Sequence, residues 1–151
     1  MGLDMYLTKE IYVGGNSLHR EVSGEINYKI KGKQINIPIE RVEYIVLEMG
    51  YWSKANHIHR WFVENIQDGI DECQKTYVSK EDLIELKSVC QKVLENPNKL
   101  AEELLPTQSG FFFGSTDYDK FYFEDIRKTI EIIDNCLSDN LEGEYYYQSS
   151  W

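Results

Sequence analysis

Residues 25–39 read Glu-Ile-Asn-Tyr-Lys-Ile-Lys-Gly-Lys-Gln-Ile-Asn-Ile-Pro-Ile. Residues 25–30 and 34–39 each alternate apolar and polar side chains in period 2, the spacing of a half-buried strand. Lys31-Gly32-Lys33 between them supplies a glycine-containing loop, so the stretch predicts a β-hairpin. Pro38 has no N–H to give to a neighbouring strand, which places the second arm at an edge. Strands joined this way run antiparallel, and that sets the kind of sheet to expect in the rest of the chain.

Upstream, residues 3–13 are rich in β-branched and aromatic side chains and predict a first strand, broken at Gly14-Gly15-Asn16. Residues 14–40 then read as a β-hairpin insertion. Residues 41–49 fit another strand or a short helix. Both faces of that strand are largely apolar, which favours a central position. Helical spacing takes over downstream. Residues 53–67 carry a stripe of Ala55, Ile58, Phe62 and Ile66, with Ser53 as N-cap and Gly69 as stop. Residues 79–96 begin with a capping box from Ser79 to Asp82 and carry Leu83, Leu86, Cys90 and Val93 on one side, with Pro97 after the end. A short helical turn at 100–105 precedes Pro106. Residues 107–114 predict a strand and 115–119 a loop of capping residues. Residues 121–137 predict a last helix with Tyr122, Ile126, Ile130, Ile133 and Leu137 inward, and residues 145–151 a terminal strand or tail. The sum over residues 1–151 is one α+β domain: a mostly antiparallel sheet with about three packed helices.

The chain has 151 residues and a net charge of −10. Residues 1–60 hold 8 basic and 7 acidic side chains, whereas residues 61–151 hold 8 and 19. That balance repels phosphate backbones and argues against duplex nucleic acid as a partner. A small phosphorylated ligand is compatible with it, because a pocket's local field differs from the net charge. Cys73, Cys90 and Cys136 are odd in number and form no CxxC, so they read as reduced, buried small hydrophobes of a cytoplasmic protein. Asp4, Lys9 and Glu10 break any signal-peptide pattern, and Tyr6 stands where a myristoylation motif needs Ser or Thr. No apolar run approaches a membrane span, and no motif calls for a cofactor.

Two stretches concentrate chemistry. The first runs from Tyr51 to Trp61 and packs Trp52, Lys54, Asn56, His57, His59, Arg60 and Trp61 into three helical turns. Asn56 with Arg60 (i,i+4) and Asn56 with His59 (i,i+3) share a face opposite the Ile58–Phe62 stripe. As a ligand platform, this face offers Asn and His for hydrogen bonds, Lys and Arg for an anion, and Trp for stacking. The alternative is a solvated helix face with both tryptophans in the core. His57 and His59 form HxH, but i,i+2 residues diverge on a helix and cannot chelate one ion, so no metal site is expected.

The second stretch is Gln108–Tyr122, in which Gly110 and Gly114 bracket Phe111-Phe112-Phe113. A strand running through Gly114, Ser115 and Thr116 into a helix start would present backbone N–H groups to an anion. A plain capped helix after a tight turn explains the same residues. Asp117, Asp119, Glu124 and Asp125 lack the spacing of an EF-hand and read as charges that complement the helix dipole. Tyr145-Tyr146-Tyr147-Gln148-Ser149-Ser150-Trp151 is dense in the residue types favoured at interfaces, so a homo-oligomer through this Tyr-rich end is expected.

Four blocks also resemble a family of small uncharacterised phage and prophage proteins. They are Met1-Gly2-Leu3-Asp4-Met5-Tyr6-Leu7, Gly50-Tyr51-Trp52 with Lys54-Ala55-Asn56, Leu104 through Asp119 (LLPTQSGFFFGSTDYD), and Tyr146 through Trp151 (YYQSSW). The likeness covers most of the chain and is weakest over residues 14–40. It implies a phage-related context, in the cytosol of a host cell, and no particular reaction. In that context the expectation is a non-catalytic protein that binds a nucleotide-derived ligand, for instance a host immune signal. Trp52, Lys54, Asn56, His59 and Arg60 would contact it from one side, and Gln108, Ser109, Phe112, Ser115 and Thr116 from the other. Two rivals are an acidic inhibitor that binds a host defence protein and a small hydrolase with His57 or His59 as base.

Overall fold

The structure is a computed structural model and describes residues 2–151; Met1, the first residue of the phage-like opening block, lies outside them. The strands are β1 (Asp4–Tyr12), β2 (Glu25–Ile30), β3 (Lys33–Pro38), β4 (Tyr44–Ser53), β5 (Thr76–Val78) and β6 (Glu144–Ser150). The helices are α1 (Asn56–Asn65), α2 (Lys80–Glu95), α3 (Pro97–Leu104) and α4 (Lys120–Ser138). Four strands form an antiparallel sheet in the order β4-β1-β6-β5, and β2 pairs with β3 as a separate hairpin. The fold is thus α+β, with four helices among the described residues.

Alternation in β1 decides which side of the sheet is covered. Met5 and Leu7 are fully buried, and their cross-strand neighbours Trp52, Tyr147 and Ser149 share that face. Helices α1, α2 and α4 cover it, giving a core of Phe62, Leu83, Leu86, Ile126 and Ile133 against the strands. Each such side chain contributes roughly 1.5–3 kcal/mol by leaving water. Gly50 lets α4 approach β4 closely, since a Cβ there would lie 2.6 Å from the Ile132 Cγ2. Met49 is the extra residue of a bulge between Leu7 and Thr8 in the register. Among the described residues no helix packs on the opposite face of the sheet.

The capping box of α2 forms as the sequence predicts: Ser79 Oγ accepts from the Asp82 N–H at 3.0 Å and Asp82 returns the bond to the Ser79 N–H at 2.8 Å. Leu83, Leu86, Cys90 and Val93 are all fully buried. Cys90 and Cys136 are buried, burial pushing their thiols up to about 12 and about 11, while Cys73 is half-buried. Lys31 and Gly32 both have positive φ, the requirement of a two-residue hairpin turn. The base of the hairpin packs through Ile26 and Ile37 on Val13, Ile39 and Val42. No helix among the described residues is long and apolar enough to cross a membrane.

Three local expectations are corrected. β4 lies at the sheet edge and not in its centre; its second apolar side, Tyr44 and Val46, faces the uncovered surface. Ser53 is the last residue of β4 and caps nothing, and α1 starts at Asn56 with Ala55 as its N-cap. Residues 107–114 form turns and no strand, because side-chain bonds hold them in place of a neighbouring strand. The aromatic end forms the expected terminal strand, β6, which lies between β1 and β5 with Tyr145 and Tyr147 in the core. Because β6 is inner, a chain lacking residues 144–151 should show no cooperative thermal transition by circular dichroism. A truncated chain that melts like the intact one would remove β6 from the structural core.

Candidate functional site

The corner between β4 and α1 meets the segment that leads into α4. Lys54, at φ 60°, donates its N–H to the Leu3 carbonyl at 2.7 Å, and Phe112, at φ 58°, accepts from the Leu3 N–H at 3.3 Å. Gly114 presses on this corner, with room for no side chain: a Cβ there would sit 2.9 Å from the Lys54 Cβ. Two non-glycine residues in the left-handed region, at about 1–3 kcal/mol each, persist only where the surroundings over-determine them.

Asn56 supplies that determination. Its Nδ2 donates to the Phe113 carbonyl at 3.1 Å and to the Ser115 carbonyl at 2.9 Å. Its Oδ1 accepts from the Gln108 N–H at 2.9 Å. The side chain is 1% exposed, and these three bonds use both its donors and one lone pair of its acceptor away from water. It pins the loop and offers nothing to a ligand.

The other residues named from the sequence divide in the same way. Trp52 is in the core, its Nε1 donating to Thr129 Oγ1 at 2.9 Å, so no ring face is open for stacking. His59 is 0% exposed and does not share a solvent-facing side with Arg60; its Nδ1 is 2.7 Å from the Tyr147 hydroxyl and its Nε2 2.9 Å from Asp71 Oδ2. Arg60 turns outward to Glu64 at 2.7 Å and reaches the Thr107 carbonyl at 3.4 Å. The expected polar face of α1 is therefore mostly interior. Gln108 is engaged through its backbone, and Ser109, Phe112 and Thr116 are exposed. Of the ten, Lys54 and Ser115 line a cavity.

That cavity, about 300 Å³, lies between Ser53-Lys54, Gly114-Ser115 and the first turns of α4. His57 forms its inner wall, with Tyr122 ring-to-ring at 4.1 Å. Tyr122 is held by its hydroxyl, which donates to the Leu105 carbonyl at 2.8 Å. The His57 Nε2 is buried without a hydrogen-bond partner, one of three such side-chain atoms among the described residues. Burial pulls the His57 imidazole down to about 3, against a smaller opposing effect of the Tyr122 backbone, so it is neutral at neutral pH. Burial also pushes the Asp125 carboxyl up to about 6; Lys128 opposes this, and Glu124 and Asp119 add to it. Asp119 accepts from the Phe121 and Tyr122 N–H groups and so already caps α4. Asp117 and Glu124 complete an acceptor-rich lining faced by one cation, Lys54. Among the described residues no group of three or more His, Cys, Asp and Glu side chains is placed to hold a metal.

Sequence reasoning left His57, Tyr122 and Asp125 out of the ligand contacts, reading them as a rival catalytic base, a core residue and a helix-dipole charge. The divergence of His57 from His59 was the available signal, since one histidine facing inward to Tyr147 leaves the other facing α4.

Two variants probe this geometry. Asn56→Asp keeps the acceptor for Gln108 but sets an oxygen against two carbonyls; it should cost at least about 1–3 kcal/mol in urea unfolding and speed proteolysis within residues 108–113. A variant as stable as the parent would remove the pin. His57 excludes a proton down to about pH 3, whereas an unfolded chain takes it near pH 6.5. Its contribution is thus lost as pH falls through that window, by up to about 1.4 kcal/mol per pH unit. His57→Phe should flatten the stability profile between pH 6.5 and 4; an unchanged slope would show that the ring is not held neutral.

Compared with known proteins, the chain matches no protein-family model, no curated protein and no solved structure.

Proposed function

We propose that the protein binds a small, donor-rich ligand of nucleoside type in the His57 cleft and holds it without converting it. The observation that carries this reading is the buried, unpartnered Nε2 of His57, a residue that lines the cavity. A polar atom left unpaired in the interior costs roughly 1–3 kcal/mol, and a ligand N–H or O–H placed there recovers it.

The lining indicates the ligand's chemistry. Asp117, Glu124, Asp125 and the neutral imidazole accept hydrogen bonds, which suits exocyclic amines, ring N–H groups and ribose hydroxyls. Among the described lining residues Lys54 is the one cation, against four carboxylates, so a nucleoside moiety suits the cleft better than a polyphosphate. The cavity volume is at the lower end of ligand pockets and fits one nucleoside rather than a dinucleotide. The exposed Phe121 offers a ring at the cavity for stacking. Against turnover, His57 is too weak a base near neutrality, and His59 is committed to Tyr147 and Asp71. The resemblance to phage proteins supplies the context in which the ligand is a host signal and sequestration is the activity; it supports that step alone.

Isothermal titration calorimetry against the common nucleosides, their monophosphates and cyclic dinucleotides tests the proposal. At least one nucleoside-type ligand should bind, and His57→Phe should weaken it about tenfold or more with the melting temperature kept. Ionised Asp125 accepts from ligand donors better than the protonated acid, so affinity should rise between pH 5 and 7 and Asp125→Asn should flatten that rise. A wild type that binds none of the panel at millimolar concentration sinks the reading.

A further inference from the structure

The uncovered face of the four-stranded sheet is built largely of tyrosine. Register places Tyr6, Tyr12, Tyr44, Tyr51, Tyr77 and Tyr146 on it, six of the 11 tyrosines in the chain. They meet in cross-strand pairs: Tyr6 with Tyr51 at 5.5 Å, Tyr12 with Tyr44 at 5.2 Å, and Tyr77 with Tyr146 at 6.1 Å. At one end of this face a depression of about 430 Å³ is lined by Tyr12, Tyr44, Tyr146 and three acids, Glu10, Glu142 and Glu144, against one lining cation, Arg20. Rings beside carboxylates make a site for cations, and the chain's own cations already use it so. The Arg20 guanidinium lies 4.9 Å from the Tyr12 ring, and Lys75 lies 4.6 Å from the Tyr146 ring while pairing with Glu10.

The same chain carries the complementary surface. The tip of the β2–β3 hairpin presents Lys29, Lys31 and Lys33 with no acid between Tyr28 and Ile35. On its apolar side Tyr28 and Ile30 are exposed, at 41% and 56%, because only the base of the hairpin packs on the body. A two-stranded ribbon of this kind is marginal by itself and gains by covering its outer apolar side chains. A cationic, apolar tip and an anionic, tyrosine-lined depression fit one another in charge and in chemistry.

We propose that the β2–β3 hairpin of one copy docks into the tyrosine–glutamate depression of a second copy. When each arm enters the other's depression the contact closes as a two-fold dimer. This inference shares no residue with the His57 cleft and stands apart from the ligand reading.

Sedimentation velocity and light scattering on the full chain over a micromolar dilution series test it. The expected mass is twice 17.8 kDa, with association weakening as salt is raised. The pair Lys31→Glu/Lys33→Glu and the pair Glu142→Lys/Glu144→Lys should each weaken the dimer about tenfold or more, and an equimolar mixture of the two variants should associate to within about threefold of the parent. All four side chains are exposed, so circular dichroism and melting temperature should not change. A chain that stays monomeric overturns the proposal, as does a dimer indifferent to both pairs of reversals. A monomer that takes up a lysine-rich peptide on this face also overturns it, since the occupant would then be a foreign partner.

Discussion

The rest of the structure hangs on the stack of Tyr147 against Phe62, with ring centroids 3.9 Å apart and planes 5° from parallel. It joins the inner strand β6 to α1 at the centre of the core. The Tyr147 hydroxyl meets His59 on the same helix, and His59 is held from its other side by Asp71. α1 is therefore fixed in rotation as well as in position, and every other side chain on it inherits its direction. Asn56, one turn earlier, is aimed at residues 108–115 as a result, and His57 is aimed at Tyr122. The cleft exists because α1 cannot turn about its axis without breaking a stacked pair and two buried hydrogen bonds.

The regular elements were legible where local signals agree. In α2 the Ser79–Asp82 capping box, the apolar stripe and the following proline all point to one answer. The hairpin was legible because alternation and a glycine turn coincide. Reading failed where tertiary partners override local pattern. β4 was placed centrally because tyrosine and valine on its outer side look like core residues, and nothing local says that this side of the sheet has no cover. Residues 107–114 look like a strand, yet their backbone groups bond to the Asn56 side chain, a partner about 50 positions away in sequence.

The site followed the same division. The stretch from Tyr51 to Trp61 was found, but the roles inside it were inverted. Asn56 and His59 are polar types that local reasoning turns toward water; here each satisfies buried partners and is 1% and 0% exposed. Amphipathic periodicity counts them as polar, whereas in this fold they line the inner side with Ile58 and Phe62. His57 was legible only as the neighbour of His59. The direction it faces depends on Tyr147, 90 residues later in the sequence.

Two acidic surfaces with similar composition differ in what their carboxylates have left to give. On the open sheet face the acids are largely engaged: Asp4 accepts from the Tyr51 hydroxyl at 2.6 Å, Glu144 from the Tyr146 hydroxyl at 2.9 Å, and Glu10 pairs with Lys75. A partner on that face, as proposed, would be held by aromatic area and cation–π attraction, with charge setting the sign of what approaches. In the cleft, Asp119 alone is used up, on the N–H groups that begin α4. Because that helix end is already capped, it has little left to attract an anion, and the remaining acceptors are directed at whatever fills the cavity. In the proposed complex, an acceptor surplus around a neutral imidazole would favour hydrogen-bond donors over phosphate. The net charge of −10 thus covers two acidic surfaces whose carboxylates differ in what they have left to give.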